Sequence, residues 1–349
     1  MRIVDWADES DGGPAVVLID QRALPHRTVH LHLRTVDDLI DAVRSLAVRG
    51  APSLGITGAY GVALAAHRHG TTSPDAVDAV RADAERIATA RPTAVPLSLG
   101  VRRALTALDG GPAAVLAEAR AVAAEAAAVH AAATDRAADE ILRLCPGRPL
   151  RALTVCNTGP LATGAVGTAL GAIVGLHERG ALAEVLACET RPLLQGARLT
   201  VWELARAGVP HRLCVDSAGP AAIANGLVDV VLAGADRIAA NGDVANKIGT
   251  YMLACAAARS GIPFVIVAPE ETIDPRTPTG ADIVVEERGA DEVREHAGTL
   301  MTVPGTPVYN PAFDVTPADL VTAIVTESRA WAPSPAPSAS VPRTAPAPR

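Results

Sequence analysis

The chain contains 349 residues, of which 49% are hydrophobic and 20% are charged, so it carries enough apolar material for one large core or two moderate ones. Its formal net charge of −7 and its sequence pI of about 5.7 exclude an electrostatic hold on nucleic acid or on an anionic membrane surface as the main activity. The partner is therefore expected to be a small molecule or another protein. The sequence lacks a run of 18 apolar residues free of Gly, Pro and charge, and its first residues do not resemble a signal peptide, which predicts a cytoplasmic protein.

Short strands followed by helices are predicted for the first part of the chain. An apolar run at 16–20 and the alternation of apolar and polar residues at 29–33 favour two short strands. Apolar residues then recur with helical period over 36–47, and the alanine-rich stretch 112–144 reads as one long helix. We therefore predict an N-terminal domain of short strands and then helices over residues 1–145.

Short apolar runs alternate with helical segments in the second part of the chain, a rhythm typical of a parallel sheet with helices on both faces. We predict an α/β fold in which a mainly parallel, Rossmann-like C-terminal domain, 146–330, follows the smaller, mostly helical N-terminal domain with its short antiparallel strands. The segment 331–349 is proline-rich without acidic residues and is predicted to be a disordered tail. The predicted strands are 152–155, 184–187, 212–215, 228–233 and 264–267, with an edge strand at 282–285.

Reactive side chains follow the predicted strands at the sheet edge where ligands bind in parallel sheets. Cys156 comes directly after the first strand, and Asp236 comes after the fourth. Glu189 and Arg191 follow the second strand, and Asp216 follows the third. A thiol and three carboxylates at neighbouring strand ends predict a catalytic crevice rather than a set of separate helix caps.

The motifs of several common enzyme classes are absent from the sequence. No Gly-x-Gly-x-x-Gly follows the first strand, and the glycine spacing at 159–164 is not continued by a lysine, which argues against dinucleotide and Walker-type nucleotide sites. The five cysteines contain no Cys-x-x-Cys pair, and no His or Cys cluster has metal-ligand spacing. We therefore expect reduced thiols and a reaction that uses no metal and no dinucleotide and hydrolyses no nucleotide.

Three basic residues indicate an anion site. Arg49 precedes Gly50 and Ala51 at the start of a predicted helix, where backbone N–H groups and a guanidinium can bind a phosphate together. Arg91 repeats this arrangement in a weaker form. Lys247 is the single lysine among 31 basic residues and is placed at the predicted start of a helix. An ammonium in a chain that otherwise uses arginine indicates a point charge for a phosphate.

Eight segments between residues 15 and 327 carry a family resemblance: RGAPSLGI at 49–56, RPTAV at 91–95, CNTG at 156–159, ETRP at 189–192, QGARLT at 195–200, GADRI at 234–238, NGDVANKIGT at 241–250 and YNPAFDVTP at 309–317. In this order they resemble the methylthioribose-1-phosphate isomerase family. That family is the isomerase branch of a superfamily that includes the regulatory subunits of the eukaryotic initiation-factor exchange complex.

This resemblance implies an aldose-ketose isomerase of methionine salvage, a homodimer without a cofactor, that converts 5-methylthioribose 1-phosphate to 5-methylthioribulose 1-phosphate. The catalytic pair of the family corresponds to Cys156 and Asp236. The residues that surround the substrate and its phosphate correspond to Arg49, Gly50, Ala51, Arg91, Gln195, Asn246 and Lys247.

The chemistry of this reaction gives the pair two tasks. Because phosphate occupies the anomeric oxygen, the ring opens only when its oxygen is protonated, which a neutral Asp236 in an apolar surrounding could do. A thiolate at Cys156 could then move hydrogen from C2 to C1 through an enediol. The alternative is a direct hydride shift, in which Cys156 only shapes the site.

Two departures from the family pattern leave the substrate open. Pro96 and the run 217–220 differ from the residues that family members commonly carry, so another 5-modified ribose 1-phosphate, such as 5-deoxyribose 1-phosphate, is an alternative. A non-enzymatic regulatory subunit is a second alternative. Ribose 1,5-bisphosphate fits less well, because the sequence offers no further basic cluster for a second phosphate.

Overall fold

The computed structural model describes residues 3–8, 12–91 and 94–333. Its first elements are β1 (Val4–Ala7), β2 (Ala15–Ile19), β3 (His30–Leu33), α1 (Val36–Arg44), α2 (Ala51–His69), α3 (Pro74–Ala88), α4 (Val95–Leu105) and α5 (Gly111–Leu144). The three strands form an antiparallel sheet in the order β1-β2-β3, and the helices pack beside it. Short strands therefore precede helices in this part of the chain, in the order that the hydrophobic pattern predicts.

Helix α2 forms the centre of the first core. Every residue from 53 to 66 is buried, which explains why this helix has no polar face. Helix α4 crosses it so closely that a Cβ at Gly100 would lie 1.9 Å from the carbonyl oxygen of Gly55. This packing fixes the direction of α2 and with it the position of its first turn.

The second part of the chain is built on a seven-stranded sheet in the order β16-β15-β10-β7-β4-β5-β6. All neighbouring strands pair in parallel except the last pair in the chain, β15 and β16, so the predicted α/β fold with a mainly parallel sheet is confirmed. Its elements and those around it are β4 (Leu150–Thr154), α6 (Pro160–Thr163), α7 (Ala169–Glu178), β5 (Leu182–Cys188), α8 (Val201–Arg206), β6 (His211–Cys214), α9 (Ala218–Ala224), β7 (Val230–Ala233), β8 (Arg237–Ala239), β9 (Val244–Lys247), α10 (Thr250–Ser260), β10 (Phe264–Val267), β11 (Ile273–Asp274), α11 (Asp291–Arg294), β12 (Glu295–His296), β13 (Thr299–Leu300), β14 (Phe313–Thr316), β15 (Ala323–Val325) and β16 (Ala330–Trp331).

A smaller sheet, in the order β11-β8-β9-β14, lies next to the end of β7. It corrects the predicted position of Lys247, which ends strand β9 instead of starting a helix. Lys247 pairs with Phe313 of β14, and Gly249, with a φ of +102°, turns the chain before α10 begins at Thr250.

The predicted edge strand at 282–285 is wrong. Thr279 and Asp282 form a capping box that closes a 3₁₀ turn over Gly280–Asp282, and Val284 is 92% exposed. The edge of the large sheet is formed instead by β15 and β16. Trp331, the first residue of the predicted tail, pairs with Ile324 in this edge, and residues 334–349 lie outside the described residues.

Helix α5 connects the two parts of the molecule. Val115, Leu116 and Ala119 near its start pack in the first core, whereas Ala137 and Ile141 near its end pack under the seven-stranded sheet. Neither α5 nor any other helix among the described residues combines the length and the apolar character that a membrane span requires.

Candidate active site

The carboxyl ends of β4 and β7 lie side by side, because these two strands pair in parallel at the centre of the large sheet. Cys156 lies just beyond β4, and Asp236 lies just beyond β7. The two loops touch, since a Cβ at Gly234 would lie 2.8 Å from Cγ2 of Thr158. The sheet therefore brings the thiol and the carboxyl to one crevice.

Cys156 has a left-handed backbone conformation, with a φ of +67°, which is uncommon for a residue other than glycine. Its N–H donates to Oγ1 of Thr190 at 2.9 Å, and its carbonyl accepts from Oγ1 of Thr200 at 2.6 Å. Nε2 of Gln195 donates to its Sγ at 3.5 Å. The half-buried thiol is thus held from the backbone and contacted by an amide.

Asp236 is exposed to solvent, although protein packed around its carboxyl partly desolvates it. This desolvation raises its pKa, whereas Lys247, Arg49 and Arg91 lower it, and the balance leaves the pKa above the ordinary value. The surroundings of Asp236 are therefore mixed and not apolar as the sequence predicts. The effect of burial on its pKa outweighs the effect of three nearby cations. The N–H of Asp236 donates to the carbonyl of Ala245 at 2.9 Å and ties the loop to β9.

Three cations lie within electrostatic range of the Asp236 carboxyl. Arg49, Arg91 and Lys247 form no ion pair within 4.0 Å with any described residue. Burial lowers the pKa of Arg91, and the positive charges of Arg288 and Arg49 lower it further. A cluster of partly dehydrated cations that repel one another is suited to binding an anion.

Lys247 ends strand β9, which is joined to the Asp236 loop through Ala245. Its Nζ donates to the carbonyl of Ala312 at 2.8 Å and lies 4.6 Å from the centre of the Phe313 ring. Burial holds the pKa of Lys247 below its ordinary value, although electrostatic interaction with Asp236 and Cys156 opposes this shift. The ammonium is therefore within electrostatic range of both reactive groups.

Gly50 and Ala51 form the start of α2 beside the loop that follows β4. Gly50 has a φ of +98°, and a Cβ there would lie 2.2 Å from the carbonyl oxygen of Ala162, so only glycine fits. The N–H groups of Ala51 and Ser53 belong to the first turn, where amides have no acceptor within the helix, and Pro52 has no N–H. This helix start can therefore contribute to an anion site.

Gln195 and Asn246 are both buried amide side chains. Gln195 is 1% exposed, and its Oε1 has no hydrogen-bond partner among the described residues. Asn246 donates from Nδ2 to Oγ1 of Thr250 at 2.9 Å, next to Lys247. An orphaned buried acceptor on a side chain that contacts Cys156 is typical of a ligand site.

Asp216 and Arg191, which the sequence also places at strand ends, have structural partners instead. The Asp216 carboxylate accepts from the N–H groups of Thr190 at 2.8 Å and of Arg191 at 2.7 Å. The Arg191 guanidinium donates to the carbonyls of Glu292 and Val293. These two residues therefore fix the turn after β5 and the segment that packs on it.

Comparison with known proteins identifies the relatives of this fold and site. The profile of the initiation factor 2 subunit family matches residues 47–333. The chain belongs to this family, in its methylthioribose-1-phosphate isomerase branch. Methylthioribose-1-phosphate isomerase from Anaeromyxobacter sp. (strain K) is 51% identical over 318 residues, which are 91% of each chain. The probable bifunctional methylthioribose-1-phosphate isomerase/methylthioribulose-1-phosphate dehydratase of Nocardia farcinica is 58% identical over 94% of this chain, which spans 59% of that relative's length.

Two solved structures of the family share the fold over nearly the whole chain. The 5-methylthioribose 1-phosphate isomerase from Pyrococcus horikoshii OT3 is 36% identical, with a TM-score of 0.86 over 95% of this chain and 92% of that one. The translation initiation factor eIF-2B subunit delta from A. fulgidus is 38% identical, with a TM-score of 0.86 over 95% of this chain and 96% of that one. One fold in this family thus carries proteins described as isomerases and proteins described as initiation-factor subunits.

Sequence reasoning missed several residues that the family fold brings to this crevice. The Arg288 guanidinium donates to the Glu292 carboxylate from Nε at 2.9 Å and also from Nη2, and Asn310 donates to the same carboxylate at 3.2 Å. The charge of Arg288 lowers the pKa of both Arg91 and Lys247. Asn310 lies in the last of the resembling segments, but Arg288 lies outside all of them and carries no local signal.

Proposed function

We propose that the protein is an aldose-ketose isomerase that converts 5-methylthioribose 1-phosphate to 5-methylthioribulose 1-phosphate. The observation that carries this proposal is the placement of Cys156 and Asp236 at the ends of two paired central strands, beside cations without a carboxylate partner among the described residues. The names of relatives that match over nine-tenths of the chain support the same substrate.

Arg49, Arg91 and Lys247 bind the 1-phosphate in this proposal, together with the amide groups of Gly50 and Ala51 at the start of α2. A phosphate dianion would relieve the mutual repulsion of the cations, and it would accept hydrogen bonds from planar guanidinium groups at two points each. Gln195 and Asn246 are proposed to orient the sugar from the sides of the crevice.

Asp236 acts as the acid that opens the ring. Phosphate on the anomeric oxygen blocks spontaneous opening. The ring oxygen takes the Asp236 proton and keeps the electron pair of its bond to C1, and C1 is left as an oxocarbenium ion that the transfer from C2 then neutralises. A carboxyl whose pKa is raised by its surroundings retains such a proton at higher pH than an ordinary aspartic acid. As the C2 ketone forms, the Asp236 carboxylate accepts the proton of the C2 hydroxyl, which regenerates the acid.

The hydrogen on C2 moves to C1 by one of two routes. In the first, a Cys156 thiolate removes it as a proton, leaves an enediol phosphate, and returns the proton to C1. In the second, the hydrogen passes directly to C1 with its electron pair, and Cys156 only shapes the site. Turnover in D₂O, followed by NMR of the product, distinguishes them: deuterium at C1 supports the first route, and complete retention of the substrate hydrogen removes Cys156 from the role of base.

A substrate comparison tests the proposal as a whole. The three substrates to compare are 5-methylthioribose 1-phosphate, 5-deoxyribose 1-phosphate and ribose 1,5-bisphosphate. We expect the highest kcat/KM for 5-methylthioribose 1-phosphate. The residues that depart from the family pattern, Pro96 and the run 217–220, make packing contacts within the fold. A Cβ at Gly219 would lie 2.7 Å from Leu253, and the Pro96 carbonyl lies against Gly55. Turnover of none of the three would favour the initiation-factor alternative.

We further propose that the protein works in the cytoplasm as a homodimer without nucleic-acid partners. The family resemblance supports the dimer, and the net charge of −7 argues against nucleic acid. Light scattering on the purified protein would measure the mass of the assembly.

A further inference from the structure

A buried carboxylate that this mechanism does not use lies behind the Cys156 loop. Glu203 on α8 is 7% exposed, and its Oε1 accepts from the N–H of Leu161 at 2.7 Å. Its Oε2 accepts from Nδ2 of Asn157. A Cβ at Gly159 would lie 2.3 Å from Oε2, so glycine at that position makes room for the carboxylate. Glu203 therefore holds this loop at two points.

Asn157 connects Glu203 to Cys156. Its Nδ2 also donates to Oγ1 of Thr200 at 3.3 Å, and that hydroxyl donates to the Cys156 carbonyl at 2.6 Å. The Oδ1 of Asn157 is buried and has no hydrogen-bond partner among the described residues. A chain of hydrogen bonds thus runs from Glu203 to the residue whose backbone has a φ of +67°.

We propose that ionised Glu203 is a positioning residue for Cys156, because it keeps Nδ2 of Asn157 directed at Thr200 and so supports the left-handed conformation of the cysteine. This inference rests on the proposed function, in which Cys156 borders the reacting carbons. When Glu203 gains a proton, its O–H needs an acceptor, and Asn157 can supply Oδ1 by turning its amide over. That rotation withdraws Nδ2 from Thr200 and loosens the Cys156 loop.

The ionisation of Glu203 falls in the neutral range. Burial raises the pKa of Glu203 to about 7. The two hydrogen bonds that its carboxylate accepts and the positive charge of Arg49 lower the pKa, but by less. Glu203 also borders a cavity of about 390 Å³, which is lined by the charged residues Arg206 on its own helix, Asp135 on α5 and Glu178 on α7. The two orientations of the Asn157 amide should therefore exchange as the pH passes through 7.

The variant Glu203→Gln tests this role. Its Oε1 can still accept from Leu161, but its Nε2 requires Oδ1 of Asn157, so the variant should adopt the acid form at every pH. We expect kcat to fall about 10- to 100-fold, since a small misplacement of a reacting group has effects of this size. KM should change less than about threefold, because Glu203 forms its hydrogen bonds to Asn157 and Leu161 and not to the residues proposed to bind the phosphate. The acid limb of the kcat profile near pH 7 should disappear.

Glu178→Gln is the matched control, because Glu178 is an exposed carboxylate on the same cavity that does not contact the Cys156 loop. It should keep the wild-type kcat and the acid limb. A Glu203→Gln variant with a kcat within twofold of wild type, or with an unchanged acid limb, would overturn the positioning role. If this variant does not fold, Asn157→Ala provides the same test. It removes the hydrogen bond to Thr200, so its kcat profile must lose the acid limb near pH 7.

Alkylation of Cys156 separates this inference from the proposed function. The rate at which iodoacetamide modifies Cys156, followed by peptide mass spectrometry, reports on the position of the thiol without any substrate. In the wild type it should show a step near pH 7 in addition to the titration of the thiol, and Glu203→Gln should lack that step. Identical alkylation profiles in the two proteins would refute the role of Glu203. Absence of turnover in the wild type would instead refute the proposed function and leave the alkylation result standing.

Discussion

Cys156 combines a reactive side chain with a strained backbone. A left-handed conformation costs a residue with a Cβ about 1–2 kcal/mol, and here Thr190 and Thr200 hold it through the N–H and the carbonyl. Glycine would adopt the same conformation without this cost. A cysteine at this position therefore indicates that its side chain, and not the turn alone, is needed at the end of β4.

Removal of either reactive group should stop turnover and leave the fold intact. Asp236→Asn keeps the size of the side chain but cannot give a proton to the ring oxygen, so kcat should fall about 10²- to 10⁴-fold. Cys156→Ala should cause a loss of the same order if the thiolate moves the hydrogen. Steady-state assays give kcat, while thermal unfolding and light scattering check that each variant is folded and assembled. Near-normal turnover in either variant would contradict the role given to that residue.

Elements with a local signal are the ones that sequence predicts well. The strand Phe264–Val267 is a continuous apolar run. Helix α3 begins where the Ser73 hydroxyl accepts a hydrogen bond from the N–H of Ala76 at 3.2 Å, and Pro74, which has no N–H, occupies the first helical position. Lys247 is different, because β9 exists through its pairing with β14, far along the chain. A short strand of that kind leaves no periodic pattern of its own.

The same distinction applies to the candidate site. Cys156 and Asp236 are predictable because parallel strands bring their carboxyl ends to one edge, so a position just after a strand carries information. Arg288 and Glu203 are not predictable in this way. A charged residue in a loop or a short helix has the same kind of sequence context whether it faces water or a crevice. Their roles depend on contacts between distant segments, such as Glu203 with the N–H of Leu161.

The close crossing of α2 and α4 predicts a large effect from a small change. In Gly100→Ala the new methyl group would lie 1.9 Å from the Gly55 carbonyl, so the two helices must move apart at a cost of about 1–3 kcal/mol. Urea unfolding should show this loss of stability. Gly289→Ala is the control, because nothing lies within 4 Å of the added Cβ. Equal stability of the two variants would show that the crossing is looser than the structure indicates.

The candidate active-site crevice depends on contact between the two parts of the whole molecule. Arg49 and Gly50 come from the first part, whereas Cys156 and Asp236 come from the second. The parts are joined by buried hydrogen bonds, including Gln21 Nε2 to the carbonyl of Leu161 at 2.9 Å. Because the Gln21 carbonyl also accepts from Arg198 at 2.7 Å, one residue of the first part holds the loops after both β4 and β5.

Glu203 also makes the stability of the whole molecule depend on pH. Folding raises the pKa of its carboxyl from 4.5 to about 7, because burial disfavours the charged form. Between these values the folded chain keeps a proton that the unfolded chain releases. The contribution of Glu203 to the unfolding free energy is therefore complete below pH 4.5 and is lost as the pH rises through 7.

Comparison of the wild type with Glu203→Gln isolates this contribution, since His130, Asp314 and the other titrating groups are common to both proteins. From pH 5 to pH 8 the unfolding free energy of the wild type should fall relative to that of the variant by about 2–3 kcal/mol, as the shift in pKa requires. Urea unfolding at half-unit steps of pH measures the difference. Activity should rise over the same range in the wild type, because the ionised carboxylate that destabilises the fold is the form that positions Cys156. A difference in stability that stays flat with pH would mean that Glu203 does not titrate there, and the acid limb of kcat would then belong to another group.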